Sequence, residues 1–274
     1  MPLEWLNSTR ISSFYKVFND MAMKLAISKK VTDSVPKRIL IVKDNKRHSM
    51  SPVISLVKDD TNDISQAVQL AVQLLREGEV IALPTDTVYG IAADAQNSTA
   101  INQLYEIKKR SPFKPLAICV SDPRDVGNWC HLDPNMPKNL LQSLLPGPVT
   151  LIFKRKSLLN CDLNPGISCV GVRVPDHPFI RSVASSFGSP IALTSANVSS
   201  EMATIATDEF SEMWSSLAAV FDGGCLAGKE LKTARLGSTV VDLSNAGCFS
   251  IIRPGCALQN TVSILREHGL IENK

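Results

Sequence analysis

The sequence predicts an α/β fold, a single domain with one twisted mixed β-sheet flanked by helices. Apolar residues recur at helical spacing in several separate stretches, short strand-like runs lie between them, and polar clusters follow those runs. With 274 residues, 44% of them hydrophobic and 20% charged, the chain can bury a sizeable core without staples, which excludes disordered and collagen-like classes. Apolar runs such as 149–153 and 191–193 are far shorter than the ~20 residues that cross a bilayer, so no membrane span is expected.

The first helix is predicted from Asp63, where Ile64, Ala67, Val68, Ala71, Leu74 and Leu75 share one face, and Gly78 ends it. Residues 80–83 form a buried strand halted by Pro84, and 84–90 form a loop. A second helix runs over 98–110, with Ile101, Leu104 and Tyr105 on one face, and stops before Pro112. Strands follow at 116–120, 149–153, 169–174, 190–193, 239–243 and 249–252, with helices near 137–145, 178–187, 208–216 and 257–268. No internal repeat interrupts this order, and the connections suit one compact domain.

Charge is distributed unevenly. Residues 1–50 hold ten Lys/Arg against four Asp/Glu, whereas 51–274 hold nineteen against twenty-two. The first part reads either as an amphipathic organelle-targeting peptide, with Glu4 and Asp20 counting against it, or as a disordered basic tail. Its short hydrophobic stretch at 39–42 precedes a basic linker at 43–48, and periodic structure begins only near 63. The expected division is a basic N-terminal segment over 1–55 and the folded domain over 56–270. Seven cysteines without a CxxC pair argue against zinc and a disulfide framework and for a reducing compartment. The expected address is the cytoplasm, with a mitochondrion or other organelle as the alternative.

Thr85-Asp86-Thr87, Thr194-Ser195-Ala196-Asn197 and Arg253-Pro254-Gly255 each follow a strand, and open α/β sheets bind ligands beyond strand ends. Turn chemistry favours the same residue types, so each cluster alone is weak. Lys108, Lys109 and Arg110 close a helix, where cations complement the dipole, and Lys114 follows across a Pro-flanked turn. Such a group of cations suits a polyphosphate, because nucleotidyl transfer is catalysed mainly by positioning and electrostatic stabilisation. The stretch from Gly223 to Glu230 imitates a P-loop, but Glu230 stands where a hydroxyl would hold Mg²⁺. Ser195 lacks the GxSxG context of a hydrolase, and the four histidines include no HExxH pair. The alternative class is an RNA-binding module, its cations tracking the phosphates of tRNA or double-stranded RNA. Aromatics at 5% are few for base stacking.

Taken in order, Leu83-Pro-Thr-Asp-Thr-Val-Tyr-Gly90, Lys108-Lys-Arg110, Lys114-Pro-Leu116, Pro146-Gly-Pro-Val-Thr150, Val172-Arg-Val-Pro-Asp-His-Pro178, Ser195-Ala-Asn197, Gly237-Ser-Thr239 and Arg253-Pro-Gly255 resemble the YrdC family, in its short form, over about residues 63–268. The resemblance implies a YrdC-like (DHBP synthase RibB-like) fold and L-threonylcarbamoyladenylate synthase activity. In that nucleotidyl transfer ATP, with Mg²⁺, L-threonine and bicarbonate give threonylcarbamoyl-AMP and pyrophosphate. A separate threonylcarbamoyl transferase complex then modifies an adenosine beside the tRNA anticodon. By the same resemblance Lys108, Arg110, Ser195 and Asn197 line the nucleotide and reaction centre, and Thr150 and Arg253 also contact ATP. Thr85, Lys114, Arg173 and Ser238 face threonine and bicarbonate, with Tyr89 as a wall and no resident metal site. The sequence departs from the pattern at Asp86, where the family often has Glu, and at Ser111, where it often has Pro.

Overall fold

The apolar stripe beginning at Ile64 winds into helix α1 (Thr61–Arg76), and Gly78, at φ 82°, turns the chain out of it. Gly78 N–H bonds Leu75 O at 3.1 Å and Glu79 N–H bonds Leu74 O at 3.0 Å, the paired exit bonds of a Schellman motif. The computed structural model describes residues 51–56, 61–109, 114–197, 202–227 and 234–273. The 39–42 stretch, Arg110, and Lys229 with Glu230 of the P-loop look-alike lie outside the described residues.

The other helices are α2 (Ser98–Ile107), α3 (Val126–Trp129), α4 (Leu140–Leu144), α5 (Pro178–Phe187) and α6 (Leu258–Glu267). Asn97 caps α2, its side chain accepting from Thr99 N–H at 3.0 Å and Ala100 N–H at 3.2 Å. The strands are β1 (Val53–Ser55), β2 (Ile81–Leu83), β3 (Gly90–Asp94), β4 (Ala117–Cys119), β5 (Cys130–His131), β6 (Val149–Arg155), β7 (Cys169–Arg173), β8 (Ile191–Ser195), β9 (Ala219–Asp222), β10 (Thr239–Asp242), β11 (Cys248–Arg253) and β12 (Ile271–Glu272). They make one mixed sheet in the order β1-β9-β2-β3-β8-β4-β7-β6-β10-β11-β12, with β5 added to β6.

Alternation along the strands divides the core into two layers. Ile81, Leu83, Ala92 and Phe221 join α1 and α5 on one face. Ala82, Ile91, Ala93 and Val220 join α2, α4 and α6 on the other. This is the expected mixed sheet between helical layers.

Several elements differ from the sequence reading. β1 lies inside the segment assigned to the basic N-terminal part, because Val53 and Ile54 pair in parallel with Val220 and Phe221 and are buried. β3, β5, β9 and β12 were not expected, and the helix near 137–145 shrinks to the five residues of α4. Thr207–Ser216 is a 3₁₀ segment kinked at Phe210, where Glu209 turns back to accept from Ile205 N–H at 2.9 Å. Ile54→Ala should therefore cost about 2–5 kcal/mol, the usual range for emptying such a core position, in urea unfolding. A change below 0.5 kcal/mol would mean that β1 adds little to the fold.

Candidate active site

Antiparallel pairing of β3 with β8 places Gly90 opposite Ser195, so the loop before β3 and the turn after β8 meet at one end of the sheet. A cleft of about 230 Å³ opens there. Thr85, Tyr89, Thr150, Arg173, Ser195, Ser238 and Arg253 line it, residues that the sequence scatters over 169 positions. Three polar clusters form its walls.

The first is built on Asp86. Arg173 Nη2 donates to Asp86 Oδ1 at 2.7 Å and to Thr87 Oγ1 at 3.2 Å, and Asp176 N–H donates to Asp86 Oδ2 at 3.0 Å. Both charged side chains are buried, so this pair fixes the 84–90 loop against β7. Arg173 Nε is buried without a hydrogen-bond partner among the described residues. The Thr85 hydroxyl is committed to the turn, donating to Val88 O at 2.7 Å and accepting from Thr87 N–H and Val88 N–H at 3.2 and 3.3 Å. The Thr87 hydroxyl lies 3.1 Å from Thr85 Oγ1 and accepts from Arg173, so it borders the cleft as part of the same cluster.

The second cluster joins residues expected on opposite sides of the site. Thr150 Oγ1 and Ser238 Oγ lie 2.8 Å apart, and Arg253 Nη2 donates to Ser238 O at 2.8 Å and Ser238 Oγ at 3.2 Å. Thr150 and Ser238 therefore belong to one subsite. Burial, and then the neighbouring Arg173 guanidinium, hold the Arg253 pKa below its ordinary value. Two guanidiniums that repel one another favour an anion between them.

Gly255 makes this cluster possible. A Cβ there would lie 2.3 Å from both Ser238 C and Thr239 N, so only glycine lets the Arg253 loop rest on the Gly237–Thr239 turn. Gly255→Ala should lower stability by about 1–3 kcal/mol in urea unfolding, the range for overpacking. Unchanged stability would show that the loop yields freely.

The third cluster corrects the expectation for Lys108. Its amine is not on the cleft surface but buried behind Ser195, donating to Ser195 O at 2.6 Å, to Asn197 Oδ1 at 3.1 Å and to Asn197 O. Ser195 Oγ donates to the same Asn197 carboxamide oxygen. Lys108 and Asn197 thus hold the turn that presents Ser195. Lys114 is exposed beside the mouth, before Pro115 of the lining. Arg110, the remaining predicted member, lies outside the described residues.

Tyr89 lines the cleft, and its hydroxyl is engaged with the 222–224 turn. It donates to Gly224 O at 2.7 Å, accepts from Gly223 N–H at 2.9 Å and lies 3.1 Å from the Asp222 carboxylate. Burial and the Asp222 charge push this phenol above its ordinary pKa, so it stays protonated at neutral pH.

The Sua5_yciO_yrdC family model, described as telomere recombination, matches residues 73–255. The chain is 49% identical over 207 residues to the threonylcarbamoyl-AMP synthase of Bos taurus, covering 76% of this chain and 74% of that one. It is 48% identical over 208 residues to the Homo sapiens protein of the same name, again covering 76% and 74%. The crystal structure of P. abyssi Sua5 complexed with L-threonine superposes with a TM-score of 0.67 at 24% identity, over 81% of this chain and 62% of that chain. That likeness is one of fold. The motifs found around the cleft, the matched span and the relatives agree: this chain belongs to the Sua5, YciO and YrdC family.

Proposed function

We propose that this chain is a threonylcarbamoyl-AMP synthase, forming threonylcarbamoyl-AMP and pyrophosphate from ATP, L-threonine and bicarbonate for tRNA modification. The observation that carries the reading is the near-half identity to the mammalian synthases over 76% of this chain, beside a family match over residues 73–255 that holds every residue of the cleft. It is an enzyme, and the reaction class we assign is nucleotidyl transfer.

The cleft suits that chemistry. Threonine carbamate, formed from the threonine amine and bicarbonate with loss of water, is a weak and labile nucleophile, so its carbamate carboxylate must be held at the α-phosphate away from bulk water. Its oxygen bonds to the α-phosphorus as the bond to the β-phosphate breaks, and pyrophosphate leaves with the electron pair. No base is needed, because the attacking group is already an anion. Arg173 and Arg253 border the cleft and would take up the developing charge, and the hydroxyls of Thr87, Thr150, Ser195 and Ser238 would orient the reactants. Mg²⁺ enters with ATP as part of the substrate, coordinated mainly by phosphate and water.

RNA contact, delivery to a transferase complex, and a cytoplasmic or mitochondrial address extend the proposal from the sequence alone. Nucleotide products analysed with ATP, threonine and bicarbonate, each omitted in turn, test the central reaction. The AMP conjugate and pyrophosphate should require all three. Conjugate formed without threonine or without bicarbonate would overturn the assignment.

A further inference from the structure

Asn164 is fully buried in the connection between β6 and β7, with a left-handed backbone at φ 57°. Its amide makes two bonds to the backbone of Leu116, in the segment that leads into β4. Leu116 N–H donates to Asn164 Oδ1 at 2.6 Å, and Asn164 Nδ2 donates to Leu116 O at 2.9 Å. These backbone partners fix which end of the amide is oxygen, because an N–H only donates and a C=O only accepts. The Tyr105 hydroxyl donates to the same Oδ1 at 3.2 Å.

Leu116 stands just before the first ladder residue of β4, so the Asn164 amide supplies the pairing that a neighbouring strand would give. The connection is itself fastened from β6, where Arg155 donates to Leu159 O at 2.9 Å, Asn160 O at 2.5 Å and Leu163 O. Pro115, Leu116 and Ala117 line the cleft, whereas Asn164 does not reach it. Tyr105 lies on α2, the helix that leads into Lys108.

We propose that Asn164 is a positioning residue for this enzyme: its amide sets the 115–117 wall of the cleft and, through Tyr105, ties that wall to the helix whose end secures the Ser195 turn. The kinetic part of the inference rests on the synthase reading.

The test uses the full chain with two variants. Asn164→Gly keeps a left-handed backbone without strain and deletes the amide. Asn164→Asp keeps the acceptor but sets a carboxylate against Leu116 O. For Asn164→Gly, kcat/KM should fall about 10–100-fold, the scale of a small misplacement in a reaction site, with faster amide hydrogen exchange across residues 114–119. For Asn164→Asp, activity relative to wild type should recover as pH falls through the carboxyl pKa, which burial raises, because the protonated group again donates to Leu116 O. Exchange is measured without substrate. Wild-type protein that makes no adenylate would therefore reject the synthase reading, while the exchange result still judges the hold on Leu116. Wild-type kcat/KM or unchanged exchange in folded Asn164→Gly would overturn the proposal. So would an Asn164→Asp activity ratio that is flat with pH, which decides the matter if the glycine variant does not fold.

Discussion

Valine should yield its adenylate on the order of 10⁴-fold less efficiently than threonine, while serine should fall short by only roughly 10–200-fold. The asymmetry follows from the lining. Serine lacks a methyl group but leaves every polar contact in place, so only an apolar contact is lost. Valine matches the shape of threonine but offers nothing to the polar group that binds the threonine hydroxyl. Thr87, Thr150, Ser195 and Ser238 all border the cleft, and valine buried against such groups forgoes the hydrogen bond that the threonine hydroxyl would add there. The check is bicarbonate-dependent AMP-conjugate formation from each amino acid at matched concentration. Valine used as well as threonine would show that no hydroxyl is recognised in this cleft.

Lys108→Met should lower kcat/KM by about 10²–10³, the scale for losing an oriented stabilising element at a reaction centre. It should also cost about 3 kcal/mol of stability, because buried acceptors lose their donor while methionine roughly fills the volume. The cause is positional: the amine gathers Ser195 O, Asn197 O and Asn197 Oδ1, and without it the turn presenting Ser195 loosens. Urea unfolding and steady-state kinetics below the unfolding range separate the two effects. A folded variant with wild-type turnover would free Lys108 from any part in the site.

The pattern of side chains made α1, α2 and α5 legible, since each carries an apolar stripe of the right period and a recognisable stop or cap. β3 was not legible, because Gly-Ile-Ala-Ala-Asp has little β-branched character and is a strand only through its partners β2 and β8. β1 and β9 depend on each other across more than 160 positions, a pairing that no local window contains. The same reason limited the site. The motifs identified the residue types, but Lys108 at a helix end reads as a solvated cation until residues 87 and 89 positions later supply its acceptors. Asp86 reads as a turn residue until Arg173 is folded against it.

β1 also decides which strand forms one edge of the sheet. It covers the outer edge of β9 and is tied at both ends, by Val220 N–H to Pro52 O at 3.0 Å and Leu56 N–H to Asp222 O at 2.7 Å. Without it, Ala219–Asp222 would present a bare row of donors and acceptors beside apolar side chains, a template for strand addition between molecules. A chain cut beyond Ser55 would move the open edge of the sheet from the three residues of β1 to β9.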